Sequence, residues 1–203
     1  RERRWYDEKN IPEPNLANLL DLVALGTVAD VVPLELNNRI LVAQGLARIR
    51  QGKCCEGIKA LLKIAGKNQA NCIAADFGFG VAPRLNAAGR LEDMSIGIEC
   101  LLTDSPQEAL ALAQQLDALN HERRSIEQDM RDQAFTALDN LQLDEAEQPV
   151  GVCLYDKSWH QGVIGILASR VKDRLHRPVI AFAPGDNGEL KGSARSIHGL
   201  HIR

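Results

Sequence analysis

The chain has 203 residues, 45% hydrophobic and 25% charged, and this composition excludes a disordered or fibrous protein. No apolar run approaches the roughly 18 residues of a membrane span, and the five cysteines include no Cys-x-x-Cys pair, so we expect a reduced, cytoplasmic protein without membrane contact. The net charge of −3 and the eight aromatic residues argue, as bulk numbers, against nucleic-acid binding.

The first half of the chain is predicted to consist mainly of helices joined by short loops. A turn or tight helix end, closed by Pro33, follows the first helix, and Gly52 and Gly66 end two others. Residues 76–90 are rich in glycine and alanine, and the stretch 82–91 is expected to be turn-prone. The predicted helices cover Asn15 to Leu25, Arg39 to Arg50 with Asn38 as its N-cap, Gly57 to Ala65, and Ser95 to Leu102.

A long helix is predicted next. Ser105, Pro106 and Glu108 have the spacing of a capping box, with proline at the first helical position. Apolar residues then recur every three or four positions as far as Leu141, with one skipped turn at Arg123. A helix of about 36 residues is roughly 54 Å long at 1.5 Å per residue, which favours a connector between two lobes. Residues 104–148 have a net charge of −8, whereas 1–103 have +1 and 149–203 have +4, and we interpret the acids as a solvated helix face.

Beyond this helix the pattern changes to strands. Apolar runs predict strands over Val150 to Tyr155 and Pro178 to Ala183, on either side of a helix over Val163 to Leu175. A third strand, Leu190 to Ile197, is expected after a turn at residues 184–188. The crossover helix makes the first two strands parallel, so this region begins as βαββ. Three strands form a thin sheet, and we expect the chain to be part of a longer protein.

Asp30 is the first candidate for chemistry. It lies between apolar segments that are expected to be buried, where a carboxylate must be paired, hydrogen-bonded or bound to a metal. Hydrogen bonding to the backbone explains it as well as a metal does, and Asp21 is open to the same two explanations. The sequence contains no His-x-His, Asp-x-Asp or Asp-His-His cluster, so any co-ligands of a metal at Asp30 lie outside this chain.

Residues 82–91 form a second candidate site. Arg84, Asn86 and Arg90 lie among small residues, and a guanidinium fork can bind the oxygens of a phosphate or another anion bidentately. The alternative is that Arg84 pairs with Glu92 or Asp93.

Two further candidate segments follow the long helix. His160 precedes the free amides of a predicted helix N-terminus, which is a position that favours anions, although a histidine beside a tryptophan is more often structural. Ser193 and Arg195 on the third predicted strand are suited to a phosphate, or are polar residues of an edge strand. Together the candidates are typical of a cleft with a metal on one wall and phosphates on the other.

Four segments, in order, resemble motifs of the bacterial RecJ family, the single-stranded-DNA-specific 5′-to-3′ exonucleases of the DHH phosphoesterase superfamily. They are LVALGTVADVVPL (22–34), PRLNAAGR (83–90), WHQGVIGI (159–166) and GSARS (192–196). The resemblance covers essentially the whole chain and implies an α/β fold. It assigns 1–103 to the C-terminal part of a DHH catalytic domain, 104–148 to the connecting helix and 149–203 to the first βαββ part of a DHH-associated domain.

The resemblance also implies roles for individual residues. The family's N-terminal aspartate motifs, its Asp-His-His motif, its later glycine-rich histidine motif and its OB-fold are absent from these residues. Alanine at 194 stands where many relatives have glycine. By position, Asp30 matches the family's last aspartate ligand of a Mn²⁺ or Mg²⁺ pair, and Asp21 is the second choice. Arg90 matches an arginine near the terminal phosphate, with Asn86 and Arg84 in support. Ser193 and Arg195 match residues that hold the 5′-phosphate end, and His160 matches a substrate-side position.

The activity so implied is two-metal hydrolysis of single-stranded DNA from its 5′ end, in DNA repair and recombination, with a single-strand-binding protein and a helicase as partners. The 203 residues alone are expected to be inactive, since one ligand cannot build a two-metal site. Three alternatives remain: a DHH-superfamily phosphodiesterase acting on short oligonucleotides or cyclic dinucleotides, a non-catalytic single-strand-binding relative, and a small-molecule-binding α/β domain. The charge segments reconcile DNA binding with the bulk charge, because the acids lie on the connector and the last segment is basic.

Overall fold

The chain divides into two compact units. The computed structural model describes residues 3–140, 149–185, 188–200 and 202. The first unit comprises Arg1–Ala88 and Met94–Asp117, and the second comprises Gly89–Asp93 and Ala118–Arg203. Two helices therefore begin in the first unit and end in the second. None of the helices in the described part of the chain is long and apolar enough to cross a bilayer.

The first unit is built from helices. Two of its contacts bring backbones together without an intervening side chain, because a Cβ at Gly45 would lie 2.1 Å from the Leu20 carbonyl oxygen and a Cβ at Gly57 would lie 2.0 Å from that of Cys100. The helices are α1 (Arg3–Lys9), a 3₁₀ turn (Leu16–Leu19), α2 (Leu20–Ala29), α3 (Leu36–Arg50), α4 (Glu56–Ile64), a 3₁₀ turn (Gln69–Asn71), α5 (Ala74–Asp76), a π-helical turn (Phe77–Val81), α6 (Ala82–Leu91), which ends in the second unit, and α7 (Ser95–Leu102).

Three predictions for the first unit are wrong. Helix α2 does not end at Leu25 but runs through Gly26 to Ala29, and the Thr27 hydroxyl donates to the Val23 carbonyl 2.7 Å away. Asn38 is not an N-cap, because α3 begins two residues earlier and the Asn38 amide donates to the Pro33 carbonyl at 2.8 Å. Residues 82–91 form helix α6 rather than a turn-prone stretch, since their alanines and buried apolar residues outweigh the cost of glycine.

Helix α8 (Pro106–Asn140) is the predicted long helix, and its 35 residues pass from the first unit into the second. The Ser105 hydroxyl accepts from the Glu108 amide at 3.3 Å, as the capping pattern predicts. Where the apolar stripe skips a turn, Asn120 and Glu127 are buried instead. The predicted end of this helix near Leu141, in residues 141–148, lies outside the described residues.

The second unit has the predicted βαββ order, with β1 (Val152–Tyr155), α9 (Ile164–Leu175), β2 (Val179–Pro184) and β3 (Leu190–Arg195). In the described sheet the order is β1-β2-β3, with β1 and β2 parallel and β2 and β3 antiparallel. Helix α9 packs on β2 and β3. Its buried face forms a core with α8, the strands and Trp159, whereas β3 is largely exposed. The turn residues 186 and 187 lie outside the described part.

Candidate anion-binding site

Arg195, at the end of β3, is the centre of the candidate site. Its Nε donates to the Ser169 hydroxyl at 2.9 Å, and its Nη1 donates to the Ser193 hydroxyl at 3.0 Å and to the Ala194 carbonyl at 2.8 Å. Side chains two apart on a strand share a face, which brings Ser193 and Arg195 together against α9. These three bonds fix one side of the guanidinium and its orientation.

Helix α9 supplies the other wall of this arrangement. Gly165 is its second residue, and a Cβ there would lie 2.8 Å from Nη2 of Arg195 and 3.1 Å from the Ser193 hydroxyl. Ser169, one turn later, donates its hydroxyl proton to the Gly165 carbonyl at 3.1 Å. Arg195 thus lies at the N-terminal turn of α9, where backbone amides without helical partners favour an anion.

Arg90, at the end of α6, belongs to the same unit and the same electrostatic cluster. Its Nη1 donates to the Gly162 carbonyl at 3.4 Å, and a Cβ at Gly162 would lie 2.0 Å from the Arg90 carbonyl oxygen. Burial of part of its side chain lowers the pKa of Arg90, as do the charges of Arg123 and Arg195, whereas Glu127 raises it. Two cations and one carboxylate therefore act on Arg90, which favours binding of an anion.

The cluster around Glu127 was not predicted from the sequence. Its carboxylate accepts from Arg123 at 2.7 Å and from Arg170 on α9 at 3.2 Å, and Arg123 also donates to the side-chain amide oxygen of Asn120 at 3.4 Å. The signal was the skipped turn of the apolar stripe at Arg123. A polar turn on a buried helix face indicates a buried ionic network. The sequence around Arg170, however, gives no sign that this arginine pairs with Glu127. Ser169 gave no signal at all.

His160 orders the loop that leads into α9. Its Nδ1 accepts from the Gly162 amide at 3.1 Å, and its carbonyl accepts from the Val163 amide at 3.0 Å. The half-buried ring therefore lies beside Gly162, which in turn meets Arg90. This contact favours a structural contribution of His160 to the site.

Arg84 and Asn86, from the same predicted motif as Arg90, belong to the first unit. Arg84 pairs with Asp117 at 2.8 Å, rather than with Glu92 or Asp93, and its side chain is 13% exposed. Its Nη1 also donates to the Gly80 carbonyl. Asn86 is exposed. Arg84 therefore stabilises its own unit, and the motif PRLNAAGR is divided between two units.

Asp30 caps the C-terminus of α2 and is exposed, so the prediction that it lies among buried residues is wrong. The chain reverses directly after it in a Schellman turn, in which the Val31 amide donates to the Val28 carbonyl and the Val32 amide to that of Thr27. Val31 is 85% exposed and has a φ of 53°, a left-handed conformation that is rare for a β-branched residue.

Asp21, the second choice for a metal ligand, is 2% exposed and fully accounted for by hydrogen bonds. Its carboxylate accepts from the Cys55 amide at 2.8 Å, just before α4 begins, and from the Leu22 amide at 2.9 Å. A carboxylate near a helix N-terminus is also favoured by the helix dipole. These contacts give Asp21 a structural role.

A metal pair does not fit the residues that the structure describes. Within residues 3–140, 149–185, 188–200 and 202, no three His, Cys, Asp or Glu side chains are grouped so that they could hold a metal ion. An exposed carboxylate such as Asp30 supplies one ligand at most, whereas Mg²⁺ and Mn²⁺ need several oxygen donors.

Sequence comparison relates the chain to known exonucleases. Residues 147–203 match the DHHA1 domain. The chain is 59% identical over all 203 residues to the single-stranded-DNA-specific exonuclease RecJ of Escherichia coli, of which it covers 35%. It is 36% identical over 193 residues to the Thermus thermophilus protein of the same name, of which it covers 27%. The chain thus spans about a third of the length of the curated relatives it matches.

Solved structures agree with the sequence comparison. The crystal structure of Thermus thermophilus RecJ in complex with Mg²⁺ matches 96% of this chain and 29% of that chain, with a TM-score of 0.79 and 35% identity. A RecJ exonuclease bound to manganese matches 96% of this chain and 46% of that chain, with a TM-score of 0.77 and 35% identity. These matches confirm the predicted resemblance and the α/β fold.

Proposed function

We infer that this chain, which is related to RecJ exonucleases along its whole length, supplies the part of a single-stranded-DNA exonuclease that holds the 5′-phosphate end of the strand. The observation that carries this proposal is the meeting of Arg195, Ser193 and the first turn of α9 in one unit, with Arg90 in the same electrostatic cluster. The matched relatives are named as exonucleases specific for single-stranded DNA, which agrees with this chemistry.

Each residue of the site has a distinct task in this proposal. The Ser193 hydroxyl already accepts from Arg195, so its own proton is directed to a phosphate oxygen. The Nη2 side of Arg195 donates charge-assisted hydrogen bonds, and Arg90 adds a second positive charge. Such contacts to the backbone of the strand carry no sequence information, so binding depends strongly on salt and weakly on sequence.

The whole enzyme, in the same proposal, uses Mn²⁺ or Mg²⁺ and hydrolyses the strand in the 5′-to-3′ direction during DNA repair and recombination in the cytoplasm, together with a single-strand-binding protein and a helicase. Asp30 is one of the metal ligands, and the 203 residues alone lack nuclease activity. Residues 1–103 form the C-terminal part of a DHH domain, residues 104–148 form the connecting helix, and residues 149–203 form the first part of the DHH-associated domain.

Binding to DNA ends tests this proposal directly. The 203-residue chain is titrated into two fluorescent single strands of equal sequence, one with a 5′-phosphate and one with a 5′-hydroxyl, and anisotropy is followed at several salt concentrations. We expect about tenfold tighter binding of the phosphorylated strand, since charge-assisted hydrogen bonds contribute about 1.5–3 kcal/mol. Arg195→Ala removes this preference, and Arg177→Ala, at an exposed arginine of the same unit, retains it.

Equal affinity of the unaltered chain for both strands would contradict the proposed end-binding role. In the full-length protein, hydrolysis of a long phosphorylated strand in preference to dinucleotides and cyclic dinucleotides separates the exonuclease from a small-substrate phosphodiesterase. Retention of that hydrolysis by Asp30→Ala would contradict the metal-ligand assignment.

A further inference from the structure

Gly165 occupies a helical position that does not require glycine. It is the second residue of α9, and its φ is not in the left-handed region, unlike those of Gly52, Gly66 and Gly188. Alanine is the more stable residue in a helix, so the backbone of α9 gives no reason for glycine here. The reason must lie in what a side chain at this position would touch.

A side chain at Gly165 would enter the space of the Arg195 guanidinium. The Cβ would lie 2.8 Å from Nη2 and 3.1 Å from the Ser193 hydroxyl, both closer than an ordinary contact. These atoms end side chains that can move, so the fold can accept alanine by displacing Arg195. The clash therefore has little effect on the stability of the fold but changes the orientation of the Arg195 side chain.

Ser169 acts on the same guanidinium from one turn later. Its hydroxyl accepts from Nε of Arg195 at 2.9 Å and donates to the Gly165 carbonyl at 3.1 Å. The two bonds fix the direction of the hydroxyl proton and hold the Nε edge of the guanidinium against α9. Arginine otherwise samples many rotamers, and fixing them before binding reduces the entropy lost when a ligand arrives.

We propose that Gly165 and Ser169 are positioning residues that hold the Arg195 guanidinium where it meets a terminal phosphate, and that they thereby set the preference for a 5′-phosphorylated over a 5′-hydroxyl strand. Gly165 provides the clearance and Ser169 provides the hydrogen bond. This inference rests on the proposed end-binding function and adds to it the two residues of α9 that make Arg195 selective.

The test compares Gly165→Ala and Ser169→Ala with matched controls in the two-strand binding assay. Each variant is expected to reduce the preference for the 5′-phosphate about fivefold or more, as expected for a misplaced charge-assisted hydrogen bond, with a melting temperature that is unchanged or, for Gly165→Ala, higher. Gly26→Ala is the control for glycine, because a Cβ there meets open space. Thr136→Ala is the control for the hydroxyl, because Thr136 makes the same back bond to the Asp132 carbonyl on α8.

A double-mutant cycle with Arg195→Ala separates this inference from the proposed function. If both residues act through Arg195, neither substitution lowers the preference further in the Arg195→Ala background. An undiminished preference in Arg195→Ala overturns the end-binding function itself. A loss in Arg195→Ala with none in Gly165→Ala and Ser169→Ala, or a further loss in the double variants beyond that of Arg195→Ala alone, overturns only the positioning role.

Discussion

The two units use the same kinds of side chain for opposite purposes. In the first, Arg84 pairs with Asp117 and donates to the Gly80 carbonyl, and Asp21 accepts two backbone amides, so both charged groups have partners within their own unit. In the second, Arg195 is held by two serines along one side, and its charge lowers the pKa of Arg90 together with burial and the charge of Arg123. A predicted site residue can bind a ligand only if some of its hydrogen-bonding groups are not already used by partners within the protein.

The largest effect expected from this contrast is the loss of stability in Arg84→Ala. Removing the arginine leaves Asp117, whose side chain is 26% exposed, without its cation, and we expect the free energy of unfolding to fall by about 3 kcal/mol. Arg195→Ala removes hydrogen bonds of a partly exposed side chain and should cost about 1 kcal/mol. Urea unfolding of both variants measures the difference, and equal losses would break the comparison.

Asp21 and Asp30 provide the same contrast between two carboxylates of one helix. Asp21→Ala leaves two backbone amides without an acceptor, so we expect a loss of about 1–3 kcal/mol in the free energy of unfolding. Asp30→Ala changes an exposed residue and should alter it by no more than about 0.5 kcal/mol. Chemical denaturation is the measurement, and a large destabilisation by Asp30→Ala would indicate a structural role instead.

A substitution at Val31 is expected to stabilise the protein, by a smaller amount than the loss expected for Arg84→Ala. A β-branched residue in the left-handed conformation costs about 1–2 kcal/mol relative to glycine, and part of this gain is lost to the greater freedom of glycine in the unfolded chain. We expect Val31→Gly to raise the free energy of unfolding by about 1 kcal/mol. Val32→Gly is a control at the next residue, whose φ is not positive, and should not stabilise.

The smallest perturbation is chemical labelling of the thiols. Burial raises the pKa of Cys54 to about 12 and that of Cys100 to about 11, whereas Cys153 on β1 of the second unit is exposed. At pH 8, iodoacetamide should therefore react with Cys153 before Cys54 and Cys100, because those two thiols are almost entirely protonated. Mass spectrometry after brief labelling identifies the modified residues. Early modification of Cys54 or Cys100 would show that the first unit opens more readily than its packing implies.

The sequence was most informative where local signals agree. Helix α7 matches its prediction, and α9 begins within one residue of its own. Helix α8 begins at its predicted residue, because the Ser105 cap and the apolar spacing point to the same boundary. The end of α2 was missed because Gly26 was given more weight than the apolar residues around it. Residues 82–91 were misjudged for the same reason, since glycine weakens a helix by only about 1 kcal/mol.

The candidate site was predictable only in part. Arg90, Ser193 and Arg195 stand out by residue type and motif, and the structure gathers them in one unit. Their supports do not stand out, because the bond from Ser169 to Arg195 joins a helix to a strand 26 residues away and the bond from Glu127 to Arg170 spans 43 residues. Such long-range partners leave no periodic trace. Arg84 was overvalued because a motif does not reveal that a helix passes from one unit to another.

The valine that follows Asp30 has a consequence for engineering this protein. A search for thermostable variants would select glycine at position 31, because a more favourable left-handed residue stabilises the helix end. The same substitution loosens the backbone directly after Asp30, for which we propose a metal-binding role in the whole enzyme. Directed evolution for heat resistance and directed evolution for turnover should therefore diverge at Val31, as they do where a strained residue serves an active site.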